Sequence, residues 1–134
     1  MALTLMFSLP GIPMIYYGDE AGAAGDKDPQ NRGPFPWGKE DRDLQEFYVA
    51  MIGFYKEHRC LVYGGLGLEC RGDDVVVVIR DDGADEFRAV INRGDSEYDP
   101  GLGGEYVPVF PEGRSRTVPG PGATIFMKRR GGSV

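Results

Sequence analysis

The chain has 134 residues, 41% of them hydrophobic and 27% charged, with a net charge of −6 and a pI near 4.7. That composition is ordinary for a globular protein, while the acidic balance excludes the basic surface that nucleic acid requires as a partner, and no run approaches the ~18 apolar residues that cross a membrane. The 21 glycines and 10 prolines predict many turns.

In chain order, Ala2–Leu9 is apolar and reads as the end of a helix that Pro10-Gly11 breaks. It lacks the basic start and small-residue cleavage site of a secretory leader, so the chain reads as soluble and cytoplasmic. Ile12–Tyr17 is rich in β-branched and aromatic residues and fenced by Pro and Gly, which predicts a fully buried strand. A long polar loop comes next over Gly18–Gly38, carrying Asp19, Glu20, Asp26, Asp28, Arg32 and Trp37. Loops of this length are usually functional or disordered, and a buried strand that delivers carboxylates to its C-terminal edge is how (β/α) barrels build sites.

Asp41 or Asp43 caps the next predicted helix, which runs to about His58 and gathers Leu44, Phe47, Tyr48, Met51, Ile52 and Tyr55 on one apolar face. Gly64-Gly65 marks a change to β pattern. Val75–Ile79, Phe87–Asn92 and Ala123–Lys128 read as strands, with a turn over Asp81–Asp85 and turn-rich stretches at Gly101–Gly104 and Val118–Gly122. Short strands separated by turns predict an antiparallel sandwich. Cys60 and Cys70 lack metal-ligand spacing and read as buried free thiols. Asp73, Asp74, Asp81, Asp82 and Asp85 lack the spacing of a calcium loop and read as turn residues, so no metal or other cofactor is expected. Lys128-Arg129-Arg130 reads as a solvated tail.

Two ordered motifs, PGIPMIYYGDE and DPQNRGPFPW, resemble the eighth barrel strand and following loop of the α-amylase family, glycoside hydrolase family 13. The Asp-Glu pair and the D-P-x-x-R spacing resemble the cyclomaltodextrinase, neopullulanase and maltogenic amylase branch most. The likeness continues through YKEHRCLVYGG into the β-rich tail. It implies the last β/α unit of a (β/α)8 TIM barrel over residues 1–62, followed by a small antiparallel all-β sandwich of the domain C type over 63–134. It also implies a retaining hydrolase acting on an α-glucan or maltooligosaccharide, whose three catalytic carboxylates would lie before Met1. A complete barrel takes about 250 residues, so the chain is expected to be inactive alone and to need the missing N-terminal barrel segment as its partner. With no barrel around it, the apolar N-terminal run is expected to promote self-association.

Asp28 and Arg32 form the candidate substrate-binding pair. Asp-Pro favours a turn, and the four-residue spacing lets a carboxylate and a rigid fork of donors converge, which suits sugar hydroxyls. The resemblance places the matching Asp and Arg on glucose units at the non-reducing side of the scissile bond. Asp19 and Glu20 are adjacent at the C-terminal end of the predicted strand, where successive residues point to opposite faces, so they cannot both flank one bond. With Tyr17 they are expected to support the site without catalysing. Trp37 offers a flat apolar face for sugar stacking or a seal for the following helix. Ala23 stands where the family often has Met. His58 lacks a nucleophile partner and reads as a helix-end residue. A competing reading makes the chain a stand-alone carbohydrate-binding or structural β-module with Tyr98, Tyr106 and Phe110 as an aromatic platform.

Overall fold

A computed structural model of the chain describes residues 1–25 and 27–130. Asp26, one of the loop carboxylates, and residues 131–134 lie outside the described residues. Helix α1 spans Ala2–Ser8 and buries Thr4, Phe7 and Ser8, with Ser8 Oγ donating to the Thr4 carbonyl at 2.7 Å. Helix α2 spans Arg42–Glu57, and α3 spans Arg59–Tyr63. Of the two predicted caps Asp41 is the one used, its carboxylate accepting from Leu44 N at 3.0 Å.

Five strands complete the chain: β1 Gly65–Arg71, β2 Val75–Asp81, β3 Asp85–Asn92, β4 Val107–Phe110 and β5 Gly122–Arg129. They form one antiparallel sheet in the order β1-β2-β3-β5-β4. Strands β2, β3 and β5 correspond to the three runs legible in the sequence. The β2–β3 turn accounts for the aspartate run. Asp81 accepts from Gly83 N at 2.8 Å, and Asp82 accepts from Ala84 N and Asp85 N at 3.0 and 2.9 Å.

Register divides the sheet into two apolar faces. Val78, Ala89 and Ile125 stand in line on one, with Phe87 and Phe110 beside them. The helices pack here through Phe7, Phe47, Met51 and Phe54. Phe54 lies 5.1 Å from the Phe110 ring and 6.0 Å from that of Phe87. Val75, Val77, Val90 and Phe126 face the other way. A second layer of largely irregular chain covers them with Tyr106 and Val118, closed by a pair of 2.8 Å backbone bonds between Tyr98 and Val118. Arg116 holds this layer by donating to the carbonyls of Leu102, Gly103 and Tyr106.

Several expectations are corrected. Ile12–Tyr17 is not a buried strand. Residues 12–16 have no regular secondary structure and pair with no strand, and Ile12 and Met14 are 95% and 76% exposed. A strand needs neighbours to take its backbone hydrogen bonds, and among the described residues the run's one backbone bond is Asp19 N to the Tyr16 carbonyl. Tyr106 and Phe110 are buried in opposite cores, so they form no aromatic platform with Tyr98. Of the two free thiols Cys60 is buried but Cys70 is exposed, because β1 is an edge strand that nothing covers. Burial, with the nearby Asp82 charge, pushes the Cys60 thiol up to about 11. His58 wedges between Phe54 and Phe87 with Nδ1 2.7 Å from the Phe54 carbonyl. No helix among the described residues is long and apolar enough to cross a membrane.

Glu86 is the buried anion that ties the second layer to the sheet. It accepts from Tyr106 OH at 2.6 Å, Arg88 Nε at 2.8 Å and Arg130 Nη2 at 2.6 Å. Burial alone would raise its pKa, but these donors outweigh that and hold it down at about 2, against an ordinary 4.5. A depressed carboxylate stabilises the fold above its unfolded pKa and loses that contribution as the pH falls through its folded one. Urea unfolding across acid pH should therefore lose about 3 kcal/mol from Glu86 between roughly pH 4.5 and pH 2. Glu86→Gln should be less stable at neutral pH, with a flatter acid limb. An unchanged acid limb in that variant would remove this role.

Candidate functional site

The polar loop leaves the unpaired segment at Gly18, whose φ of 86° is a left-handed conformation that glycine adopts without strain. A short 3₁₀ turn over Asp19–Ala21 comes next. Ala21 is buried, and its carbonyl accepts from Asp41 N at 3.1 Å, docking the turn against the start of α2. The loop's two arms then close on each other. A side chain at Gly25 would come within 2.7 Å of the Asn31 backbone, so only glycine allows the approach. The second arm turns through another 3₁₀ element, Gln30–Arg32.

Asp28 and Arg32 do converge. Arg32 Nε lies 3.4 Å from Asp28 Oδ1, with the Arg32 and Asp28 side chains 70% and 63% exposed. Beside them a cleft of about 120 Å³ is walled by Tyr16, Tyr17, Asp19, Gln30, Asn31 and Pro34, among others. Neither Asp28 nor Arg32 lines it; the pair stands at the surface.

The adjacent carboxylates diverge, though by a turn and not by strand alternation. Asp19 borders the small cleft, while Glu20 borders a larger, mainly apolar groove of about 440 Å³ with Ile15, Tyr48, Val49 and Ile52. Tyr48 lies near both: burial first, then the charges of Asp19 and Glu20, raise its phenol pKa. Tyr17 is exposed and meets Phe35 edge-on at 6.0 Å, and Phe35 lies 4.6 Å from Trp37. Trp37 is 81% exposed, so here it presents a face to solvent and does not close over α2.

Sequence reasoning passed over Gln30, Asn31 and Phe35. The first two occupy the variable positions of D-P-x-x-R, where residue type alone carries no signal. Phe35 lies between two prolines and reads as loop filler. Chemically the arrangement offers amide and carboxylate hydrogen-bonding groups, a guanidinium and flat aromatic faces, a set suited to a neutral polyhydroxylated ligand. Among the described residues no group of three or more His, Cys, Asp or Glu side chains is placed to hold a metal ion.

No family model matches the chain. It is 41% identical over 108 residues to an amylopullulanase of Thermoanaerobacter thermohydrosulfuricus, across 72% of the chain and 7% of that protein. It is 41% identical over 66 residues to a cyclomaltodextrinase of Thermoanaerobacter pseudethanolicus, across 48% of the chain and 12% of that protein. Among solved structures, a maltogenic amylase from S. marinus superposes with a TM-score of 0.82 at 30% identity, over 96% of the chain and 19% of the amylase. The chain thus spans a small fraction of the length of each relative.

An exposed ion pair contributes roughly 0–1 kcal/mol. Asp28→Ala and Arg32→Ala should therefore each change the unfolding free energy of the 134-residue chain by less than about 1 kcal/mol, as read by urea titration. A larger loss would make the pair a structural clasp of the loop.

Proposed function

The chain belongs to the C-terminal region of the α-amylase family, glycoside hydrolase family 13, and from that premise we propose that it forms the closing part of a retaining α-glucan hydrolase. In this reading residues 1–62 are the last β/α unit of the catalytic barrel and 63–134 are the C-terminal sheet domain that braces it. The observation that carries it is the unpaired segment 12–16. Its alternate residues Ile12, Met14 and Tyr16 are exposed, while Pro13 and Ile15 are half-buried. A run with no strand partner, alternating exposure and an apolar outer row has the form of a barrel strand awaiting a neighbour on each side.

The relatives, an amylopullulanase, a cyclomaltodextrinase and a maltogenic amylase, support an α-glucan as substrate. Retaining hydrolysis needs a nucleophilic carboxylate and a second carboxyl group as acid and base about 5 Å away across the glycosidic bond. Asp19 and Glu20 border separate cavities and do not offer that pair. The catalytic carboxylates then belong to the rest of the barrel, and this chain contributes binding. Asp28 and Arg32 bind hydroxyls of glucose units away from the cleavage point, and Trp37 stacks on a sugar face. Asp19, Glu20 and Tyr17 shape the floor beside them.

Two outcomes test this. The purified chain should show no turnover of starch, pullulan or cyclodextrins above buffer; turnover abolished by a mutation within the chain would sink the reading. In a full-length enzyme containing this chain, Asp28→Ala and Arg32→Ala should each lower kcat/KM roughly ten- to hundredfold, as expected for losing about 1.5–3 kcal/mol of charge-assisted hydrogen bonding. Longer maltooligosaccharides should suffer more than the shortest, with little change in Tm. Equal efficiency at every chain length would leave the pair without a substrate role.

A further inference from the structure

We infer that Arg80 is the latch by which the β-sheet positions the N-terminal segment that carries the candidate site. Arg80 lies on β2 and is 1% exposed. Among the described residues it joins no ion pair. A buried guanidinium without a counter-charge is costly unless its donors are satisfied. Here two carbonyl groups satisfy it. Nε and Nη2 donate to the Gly64 carbonyl at 3.2 and 2.7 Å, and Nη1 donates to the Ser8 carbonyl at 3.2 Å.

Both carbonyls sit at helix ends. Ser8 is the last residue of α1, and Gly64 closes α3. The last carbonyls of a helix lack intrahelical donors and carry partial negative charge, so they can host a cation where no carboxylate is present. Reaching two of them at once takes the planar fork of arginine; a lysine ammonium is a single point.

Ser8 stands directly before the segment that leads to the site. The chain leaves α1 at Leu9, turns at Pro10-Gly11 and runs through the unpaired residues 12–16 to Asp19 and the cleft. Between Ser8 and Tyr16 the anchors are sparse: Tyr55 OH donates to the Gly11 carbonyl at 3.2 Å, and Ile15 packs on the helix-side core. Arg80 therefore registers the start of this segment against a sheet encoded far downstream. The latch stands on these hydrogen bonds alone; only its bearing on sugar binding rests on the proposed function.

The test is hydrogen exchange followed by mass spectrometry on the 134-residue chain, comparing wild type, Arg80→Met and Arg80→Lys. Amides of residues 5–9, the ones that donate along α1, should exchange about tenfold faster or more in Arg80→Met, with protection retained in the centres of β2, β3 and β5. Arg80→Lys should show a smaller acceleration confined to the same residues. Unchanged exchange over residues 5–9, or equal acceleration throughout the chain, would overturn the inference. If Arg80→Met does not fold, Arg80→Lys decides the matter, and its failure to fold would make Arg80 a core requirement of the sheet and no latch. Sugar affinity plays no part in the readout, so failure of the glucan reading leaves this test standing.

Discussion

The structure depends on one packing surface: the face of the sheet that carries Val78, Phe87, Ala89, Phe110 and Ile125. All three helices lie on it. Phe47, Met51 and Phe54 of α2 reach it from above, Phe7 joins from α1, and Cys60 and Leu61 join from α3. Removing apolar area from water is the main favourable contribution to such a fold. The helices N-terminal to Gly64 would have little else to bury against. The same surface explains why helix and sheet regions share one core although their sequence patterns change abruptly at Gly64-Gly65.

Around that core the polar chemistry is placed where it can be satisfied. On the far face Glu86 gathers a tyrosine and two arginines, while Arg80 on the helix side is met by carbonyls. Each is a buried charge with directed partners, the condition under which burial is tolerated. The loop bearing Asp28, Arg32 and Trp37 obeys a different rule. Its polar side chains are exposed, and its shape is kept by the left-handed turn at Gly18 and the close backbone approach at Gly25. A rigid backbone that presents free polar and aromatic side chains suits binding better than self-packing.

The unpaired segment 12–16 lies between these regimes. Ile15 packs on the helix-side core, whereas the outer row is exposed and, among the described residues, the backbone makes one hydrogen bond, from Asp19 N to the Tyr16 carbonyl. Reading Ile12–Tyr17 as a buried strand mistook a composition for a context. β-branched and aromatic content marks residues that fit a pleated sheet, but pairing depends on what lies alongside, and among the described residues no strand does.

By itself the sequence determined the local elements: α2 from its apolar periodicity and Asp41 cap, strands β2, β3 and β5 from their β-branched runs, and the Asp81–Asp85 turn. It also carried the family, because PGIPMIYYGDE and DPQNRGPFPW stand in order at a defined separation. It brought Asp28 and Arg32 together, since i,i+4 spacing across a turn is a local property. Only the tertiary structure decided which side chains share a surface. It separated Tyr106 and Phe110 into opposite cores, left Cys70 bare on an edge strand and opened Asp19 and Glu20 onto different cavities. It made walls of Gln30 and Asn31, and set Arg80 between the ends of two helices. Those outcomes rest on contacts between residues distant in sequence, which periodicity and local spacing do not encode.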